Sequence, residues 1–449
     1  MADPFFRGRL VDSDHKKRLL RAIPGGAHTY SRGYDQFPAN APAILKRGKG
    51  AYVFDESERG YLDYGMGLRA VNVGYAEERI CKAAVRQMEY GNNLTRPSLI
   101  ELQAAEMLIG LIDSADMVKF TKTGSAAVSG AVKLARGFTG RELVARCAQH
   151  PFFSYDDWFV ASTPLTKGIP ADVLRQTKLF DYNDIASLKR LIDEFPDQIA
   201  CVVLEPATDA HPAASADNPR ENFLHDVQRL CKKHGIVFVL DEMITGFRWH
   251  LKGAQHYYGV TPDLSTFGKA MANGFSVTAL TGKREVMEQG SIELEGRERL
   301  FLLSTTHGAE MSSLGALVET VAFCEEHGVI DHVWAFGERL IALMNGCAAD
   351  AGIADHFKAC GLPCSPLFST LDKDGAPCLG LRTLFLQEMC EKGVLMPWLA
   401  LCYRHADPEL HKTEEALRHA LGVYAKALES GYEKFLDGEP IRPVFRKHN

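Results

Sequence analysis

CVVLEP (201–206), FLHDVQRLCKKHG (223–235) and IVFVLDE (236–242) decide the fold. The first and third are short, continuously apolar runs that end in acids. The middle stretch has helical amphipathic spacing and closes on Gly235, the residue type that best tolerates a left-handed helix C-terminus. Strands apolar on both faces and joined through a helix belong to a parallel sheet covered on both sides. Upstream, AVKLARGF (131–138) follows a TKTGS turn and puts Ala131, Leu134, Ala135 and Phe138 on one helical face. In such a sheet the ligand crevice lies at the carboxyl ends of the strands, where Glu205, Asp241 and Glu242 fall.

The chain has 449 residues, enough for more than one hydrophobic core. We expect an N-terminal segment (1–55) packing with the small domain, a large α/β domain (56–317) and a small C-terminal α+β domain (318–449). The last ends in TEEALRHALGVYAKALESGYEKFL, with Leu417, Leu421, Tyr424 and Leu428 at helical spacing. A net charge of -6 with no basic block argues against nucleic acid as partner. No run approaches the ~18 apolar residues of a membrane span, and the charged start MADPFFRGRLVDSDHKKRLL lacks a secretion signal. A cytoplasmic protein is expected. Eleven cysteines without a CxxC pair, and no HExxH, predict neither a disulfide framework nor a metal centre.

Three features carry chemistry. TKTGSAAVSGAVKLAR (121–136) brings a glycine turn into a helix, which suits an anion as well as an ordinary N-cap. In FVLDEMITGFR (238–248) a strand-end acid either holds a cation, such as a protonated ring nitrogen, or caps a turn. PDLSTFGKAMANG (262–274) places Lys269 beside Gly268 and before an Asn-Gly turn. Such a lysine is either a solvated surface charge or, held among apolar groups, an amine able to attack a carbonyl. A phosphate cradle, a strand-end acid and a lysine together are what pyridoxal phosphate requires.

At these residues the sequence resembles the class III aminotransferases of fold type I, in the branch of glutamate-1-semialdehyde 2,1-aminomutase. The likeness extends over IPGGAHTYSRG (23–33), RGKGAYVFDESERGYLDYGMG (47–67), TGSAAVSGAVKLARGFTGR (123–141), VLEP (203–206), LDEMITGFR (240–248), PDLSTFGKAMANG (262–274) and RHADPELHKT (404–413). It implies a large domain with a mostly parallel seven-stranded sheet, pyridoxal 5'-phosphate as cofactor, and no metal. It implies that Lys269 forms the Schiff base and moves the proton, and that Asp241 binds the ring nitrogen. Met243 lies under the ring, Gly124 and Ser125 bind the phosphate, and Phe152 stacks on the ring. Thr306 reaches the phosphate of the neighbouring subunit, so the active unit is a homodimer with shared sites. Arg32 aligns with an arginine that binds substrate carboxylate; its other reading is a surface charge. Glu205 is a second candidate substrate-binding residue.

The sequence also departs from the family. Phe153 and Ser154 replace the usual His-Gly, Ala126 replaces a glutamate, and ATDAHPAASADNPREN (207–222) lacks the aminomutase asparagine. PWLALCY (397–403) is shorter than its aminomutase counterpart and has no glutamate. The expected activity is therefore transfer of an amino group from an amino-acid donor to an aldehyde or ketone, sugar-derived carbonyls included. The alternatives are an aminomutase-type isomerase and a binding protein that kept the fold, against which Lys269 in its motif counts.

Overall fold

The computed structural model describes residues 14–448. A seven-stranded sheet forms the larger body. Numbered in chain order, its strands are β1 (Met117–Thr121), β2 (Leu143–Cys147), β3 (Thr177–Phe180), β4 (Ile199–Leu204), β5 (Val237–Asp241), β6 (Leu264–Phe267) and β7 (Thr278–Gly282). Their order across the sheet is β1-β7-β6-β5-β4-β2-β3, and β7 alone runs antiparallel to its neighbours.

Alternation along the central strands explains why both faces are covered. Val203 of β4 and Val239 of β5 pack under the helix Gly124–Thr139, with Ala127, Ala131, Leu134 and Ala135. Val202, Leu204, Phe238 and Leu240 point to the opposite face, under the helices Ile185–Glu194 and Phe223–His234. Strand residues one apart face opposite sides, so a sheet buried on both faces needs unbroken apolar runs. Gly235 ends the helix Phe223–His234 with φ 60°, as its sequence predicts. Phe138 departs from expectation: it is exposed, at the last turn of its helix. Most cysteines are buried, Cys360 being exposed.

The smaller body packs the helices Val329–Asp350, Leu379–Glu391 and Asp407–Ser430 around one apolar core. Leu417, Leu421 and Tyr424 are buried there and Leu428 packs at its edge. The hairpin Tyr52–Phe54/Gly60–Asp63 joins this body through parallel pairing of Gly60–Asp63 with Val394–Leu395. The expected limits at 55/56 and 317/318 do not coincide with breaks in structure: the first lies in the hairpin, the second inside the helix Met311–His327. The division stays our proposal, with the hairpin assigned by its pairing to the C-terminal body; residues 1–13 lie outside the described residues. Among the described residues no helix is long and apolar enough to cross a membrane.

Two buried polar residues tie the bodies together beside the crevice. Arg248 donates to Leu401 O (2.8 Å) and to Arg69 O (3.3 Å). Asn273 Oδ1 accepts the N–H groups of Asn72 (3.1 Å), Val73 (3.0 Å) and Gly74 (3.4 Å). Burial lowers the Arg248 pKa to about 10, with the Arg69 charge adding to the effect. Hydrogen bonds from a charged donor contribute about 1.5–3 kcal/mol each, and relieving the buried charge offsets part of that. Arg248→Met should therefore lower the unfolding free energy by about 2–3 kcal/mol in urea titrations. Unchanged or higher stability would show that these carbonyl bonds do not outweigh the cost of burying the cation.

Candidate active site

Parallel neighbours end side by side, about 4.8 Å apart. β4, β5 and β6 are such neighbours, and the chain places a charged group just at or beyond each end: Glu205, Asp241 and Lys269. Glu205 and Asp241 are buried and Lys269 is half-buried. Burial is the largest influence on all three. It lowers the Lys269 pKa, against the pull of Glu205 and Asp241, while Arg69 and Arg248 push it further down. It raises Asp241 to about 6, and it raises Glu205, with Asp241 adding to the effect. The Lys269 ammonium and each carboxylate thus favour one another's charged form against burial, while the two carboxylates oppose each other.

The surroundings fix these groups. Asp241 Oδ1 accepts from Met243 N–H (2.9 Å) and from Thr266 Oγ1 (3.1 Å), and Oδ2 takes no hydrogen bond. Glu205 Oε2 accepts from Thr208 Oγ1 (2.8 Å), and the Glu205 N–H donates to His150 Nδ1 (3.0 Å). His150 is kept neutral: burial first, then Arg146, lowers its pKa to about 3. Lys269 has φ 48°, a strained left-handed conformation for a lysine, at the start of a single 3-10 turn. Gly268 is required beside it, since a Cβ there would lie 2.7 Å from Met243 Sδ and 2.8 Å from Thr278 Cγ2.

Met243 also closes the other side of the crevice. A Cβ on Gly124 would sit 3.1 Å from the same sulfur. Gly124 and Ser125 open the helix Gly124–Thr139, where the first N–H groups lack helical partners. Thr123 Oγ1 accepts from Ala126 N–H (3.2 Å), leaving those of Gly124 and Ser125 for an anion. Ser125 Oγ accepts from Tyr155 N–H (3.1 Å), which pins the 152–158 loop to the helix start.

The structure therefore brings together Lys269, Asp241, Glu205, Met243, Gly124 and Ser125. Phe152 lies at the rim, 49 % exposed and edge-on to Phe159 at 5.6 Å, while Phe153 is buried in the core beneath. Thr306 is not part of the cluster within one chain: it is exposed, and its carbonyl accepts from Asn93 Nδ2 (3.2 Å). Arg32 is exposed, with no hydrogen bond or ion pair to the cluster. Sequence reading missed the supports. Arg248 and Asn273 stand inside motifs quoted above, yet only their buried contacts show what they do.

Arg69 was also missed. Met66, Gly67, Leu68 and Arg69 have φ 40°, 59°, 67° and 64°, four successive left-handed residues. Left-handed helical geometry costs non-glycine residues roughly 1–2 kcal/mol each. Asp63 holds the entry, accepting from Gly65 N–H (2.7 Å) and Tyr75 Oη (2.6 Å), and Arg248 and Asn273 hold the exit. Burial lowers the Arg69 pKa, against the charges of Glu205 and Asp209.

A family profile described as "Aminotransferase class-III" matches residues 30–398. The chain belongs to the class III aminotransferases. It is 32% identical over 412 residues to a 3-aminobutyryl-CoA aminotransferase of Cloacimonas acidaminovorans, covering 90% of this chain and 95% of that one. It is 35% identical over 301 residues to a glutamate-1-semialdehyde 2,1-aminomutase of Methanosphaera stadtmanae, covering 66% and 69%. Among solved structures it resembles the pyridoxal-phosphate internal aldimine form of the Sphingopyxis FumI protein (TM-score 0.83, 26% identity, 93% and 97% covered). It also resembles an omega-transaminase from Sphaerobacter thermophilus (TM-score 0.80, 26% identity, 92% and 97% covered). This aminotransferase has the fold type I architecture and uses pyridoxal phosphate to move an amino group from an amino-acid donor to a carbonyl acceptor. The residues present fit that cofactor: an anion site at a helix start, an amine, and a buried carboxylate with one oxygen open.

Both carboxylates favour the charged form of Lys269, so removing either should lower its pKa. In apo-protein treated with pyridoxal and borohydride, the pH midpoint for labelling Lys269 should fall in Asp241→Asn and in Glu205→Gln. A midpoint that stays or rises in both variants would show that neither carboxylate faces Nζ.

Proposed function

We propose that this aminotransferase catalyses net transamination in two half-reactions and that the first product leaves before the acceptor binds. The observation that carries the site assignment is Lys269 in the field of two buried carboxylates, Asp241 and Glu205, at neighbouring strand ends. Pyridoxal phosphate, when bound, supplies an electron sink that acidifies the Cα–H of an amino substrate. Asp241 keeps the ring nitrogen protonated through its open Oδ2. Lys269 Nζ, its proton affinity reduced by burial, would be the group that takes and returns the proton at the substrate Cα. Gly124 and Ser125 would hold the phosphate, and Met243 and Phe152 would bound the ring.

Release of the product, rather than isomerisation, is supported by the 397–403 segment. Leu399, Ala400, Leu401 and Cys402 are buried, and their backbone is already engaged: Ala400 N–H donates to Tyr64 O (2.8 Å), and Leu401 O accepts from Arg248. A mutase must retain a doubly aminated species, and this segment supplies no carboxylate for a second ammonium. The relatives' names include a CoA-linked amine and an amino-acid semialdehyde, so a carbonyl panel with sugar-derived members identifies the acceptor.

We also propose a homodimer, with Thr306 serving the phosphate of the partner's site. Leu102, Ile292 and Phe301 are exposed around a cavity of about 600 Å³ that Thr305 also lines. A second copy covering this apolar face would bring Thr306 to the other crevice.

In a single turnover of the pyridoxamine form with an accepted aldehyde, one equivalent of amine should be released, with further turnover only after a donor such as glutamate is added. Steady conversion of glutamate-1-semialdehyde to 5-aminolevulinate without donor would favour the mutase. Mixing Lys269→Ala with Thr306→Ala subunits should restore activity, because a heterodimer carries one site with both residues intact. No recovery after verified subunit exchange would place Thr306 in its own subunit's site or outside it.

A further inference from the structure

We propose that Arg69 is the specificity-determining residue that binds a substrate carboxylate opposite Lys269, so that this aminotransferase selects carboxylate-bearing substrates. The proposal rests on the assignment of Lys269 to the reacting amine. Three observations carry it.

The first is placement. Arg69 ends the left-handed turn, three residues before Asn72, and Lys269 lies four residues before Asn273. The Asn273 side chain accepts the N–H groups of Asn72, Val73 and Gly74, and its Nδ2 donates to Gly74 O (2.9 Å). Arg248 holds the Arg69 carbonyl from the large body. The two cations are thus anchored to one clamp; Lys269 lies in the field of Arg69, and both lie in that of Glu205.

The second is availability. Arg69 is half-buried and its guanidinium makes one hydrogen bond, from Nη1 to Ser365 Oγ (3.3 Å). Among the described residues no carboxylate lies within 4 Å of it, although Glu205 and Asp209 are close enough to act electrostatically. A partly desolvated guanidinium with most donors unused is suited to a planar, two-pronged anion.

The third is elimination of its neighbours. Arg248 is committed to Leu401 O and Arg69 O. Arg382 donates to Pro397 O (2.9 Å) and Phe368 O (3.4 Å) and stacks on the Phe368 ring at 4.4 Å. Arg32 is exposed and outside the cluster. Strain points the same way, since a left-handed turn held from both ends is a common means of aiming a functional side chain.

The test uses glutarate, a dicarboxylate without an amine, titrated into the holoenzyme while the cofactor absorption band is followed. Arg69→Gln should weaken glutarate binding by at least about tenfold, Arg69→Lys by less, and Arg32→Gln by less than about threefold. In donor half-reactions, Arg69→Gln should lose roughly 30-fold or more in kcat/KM for an amino acid but less than about threefold for an amine of similar length without a carboxylate. Equal losses for both donors would overturn the proposal, as would unchanged glutarate affinity in Arg69→Gln or a larger loss in Arg32→Gln than in Arg69→Gln. The titration needs no turnover, so failure of the transamination reading would leave its result standing.

Discussion

The site depends on charge held where water is scarce. Three parallel strands end together and bring Glu205, Asp241 and Lys269 into one crevice, and burial opposes the charged form of each. Lys269 is the counter-ion of both carboxylates, which in turn favour its charged form. Asp241 gains further stabilisation from Met243 N–H and Thr266 Oγ1. Without Lys269 the carboxylate pKa values would rise further, and without the carboxylates that of Lys269 would fall further. The mutual dependence also explains why Glu205 is fixed through its backbone by a neutral His150 rather than by a second cation.

The chemistry-bearing residues were largely legible in the sequence because their placement follows from strand periodicity. An apolar run ending in Glu-Pro and another ending in Asp-Glu put acids at strand ends. Gly268-Lys269 follows a third apolar stretch in the same way. The helix entered at Gly124 was legible for a related reason: glycine, serine and threonine before an amphipathic run mark an N-terminus whatever the fold. The supports are different. Asn273 caps N–H groups some two hundred residues away, and Arg248 bonds a carbonyl at 401. Neither partner leaves a local pattern, because a backbone donor or acceptor has no residue-type signature. The same reason put the expected boundary at 317/318 inside a helix, since no composition change marks where Met311–His327 passes from one body to the other.

Arg69 shows this limit most clearly. Glycine at 67 hints at positive φ, but methionine, leucine and arginine favour right-handed geometry, so local propensity argues against the observed turn. The turn exists because Asp63 at its entry and Arg248 and Asn273 at its exit over-determine it. Local preference is overridden in one short stretch, and that stretch carries the Arg69 charge that acts on Lys269. Conflicts between local propensity and fold concentrate at functional sites. Here the conflict sets the direction of one guanidinium.

The two bodies meet at this same place, and that has a mechanistic consequence. Arg248 spans the Arg69 carbonyl and the 397–403 segment, so the apolar wall from the C-terminal body and the cation from the N-terminal turn share one anchor. A shift of the small body that moved Leu401 would pull on Arg248 and hence on the Arg69 backbone. That anchor holds the Arg69 backbone and a buried apolar segment of the C-terminal body together. A carboxylate held two-pronged by Arg69, as proposed, would be selected by geometry as well as by charge, because its distance from Lys269 would have to match the spacing that Arg248 and Asn273 impose.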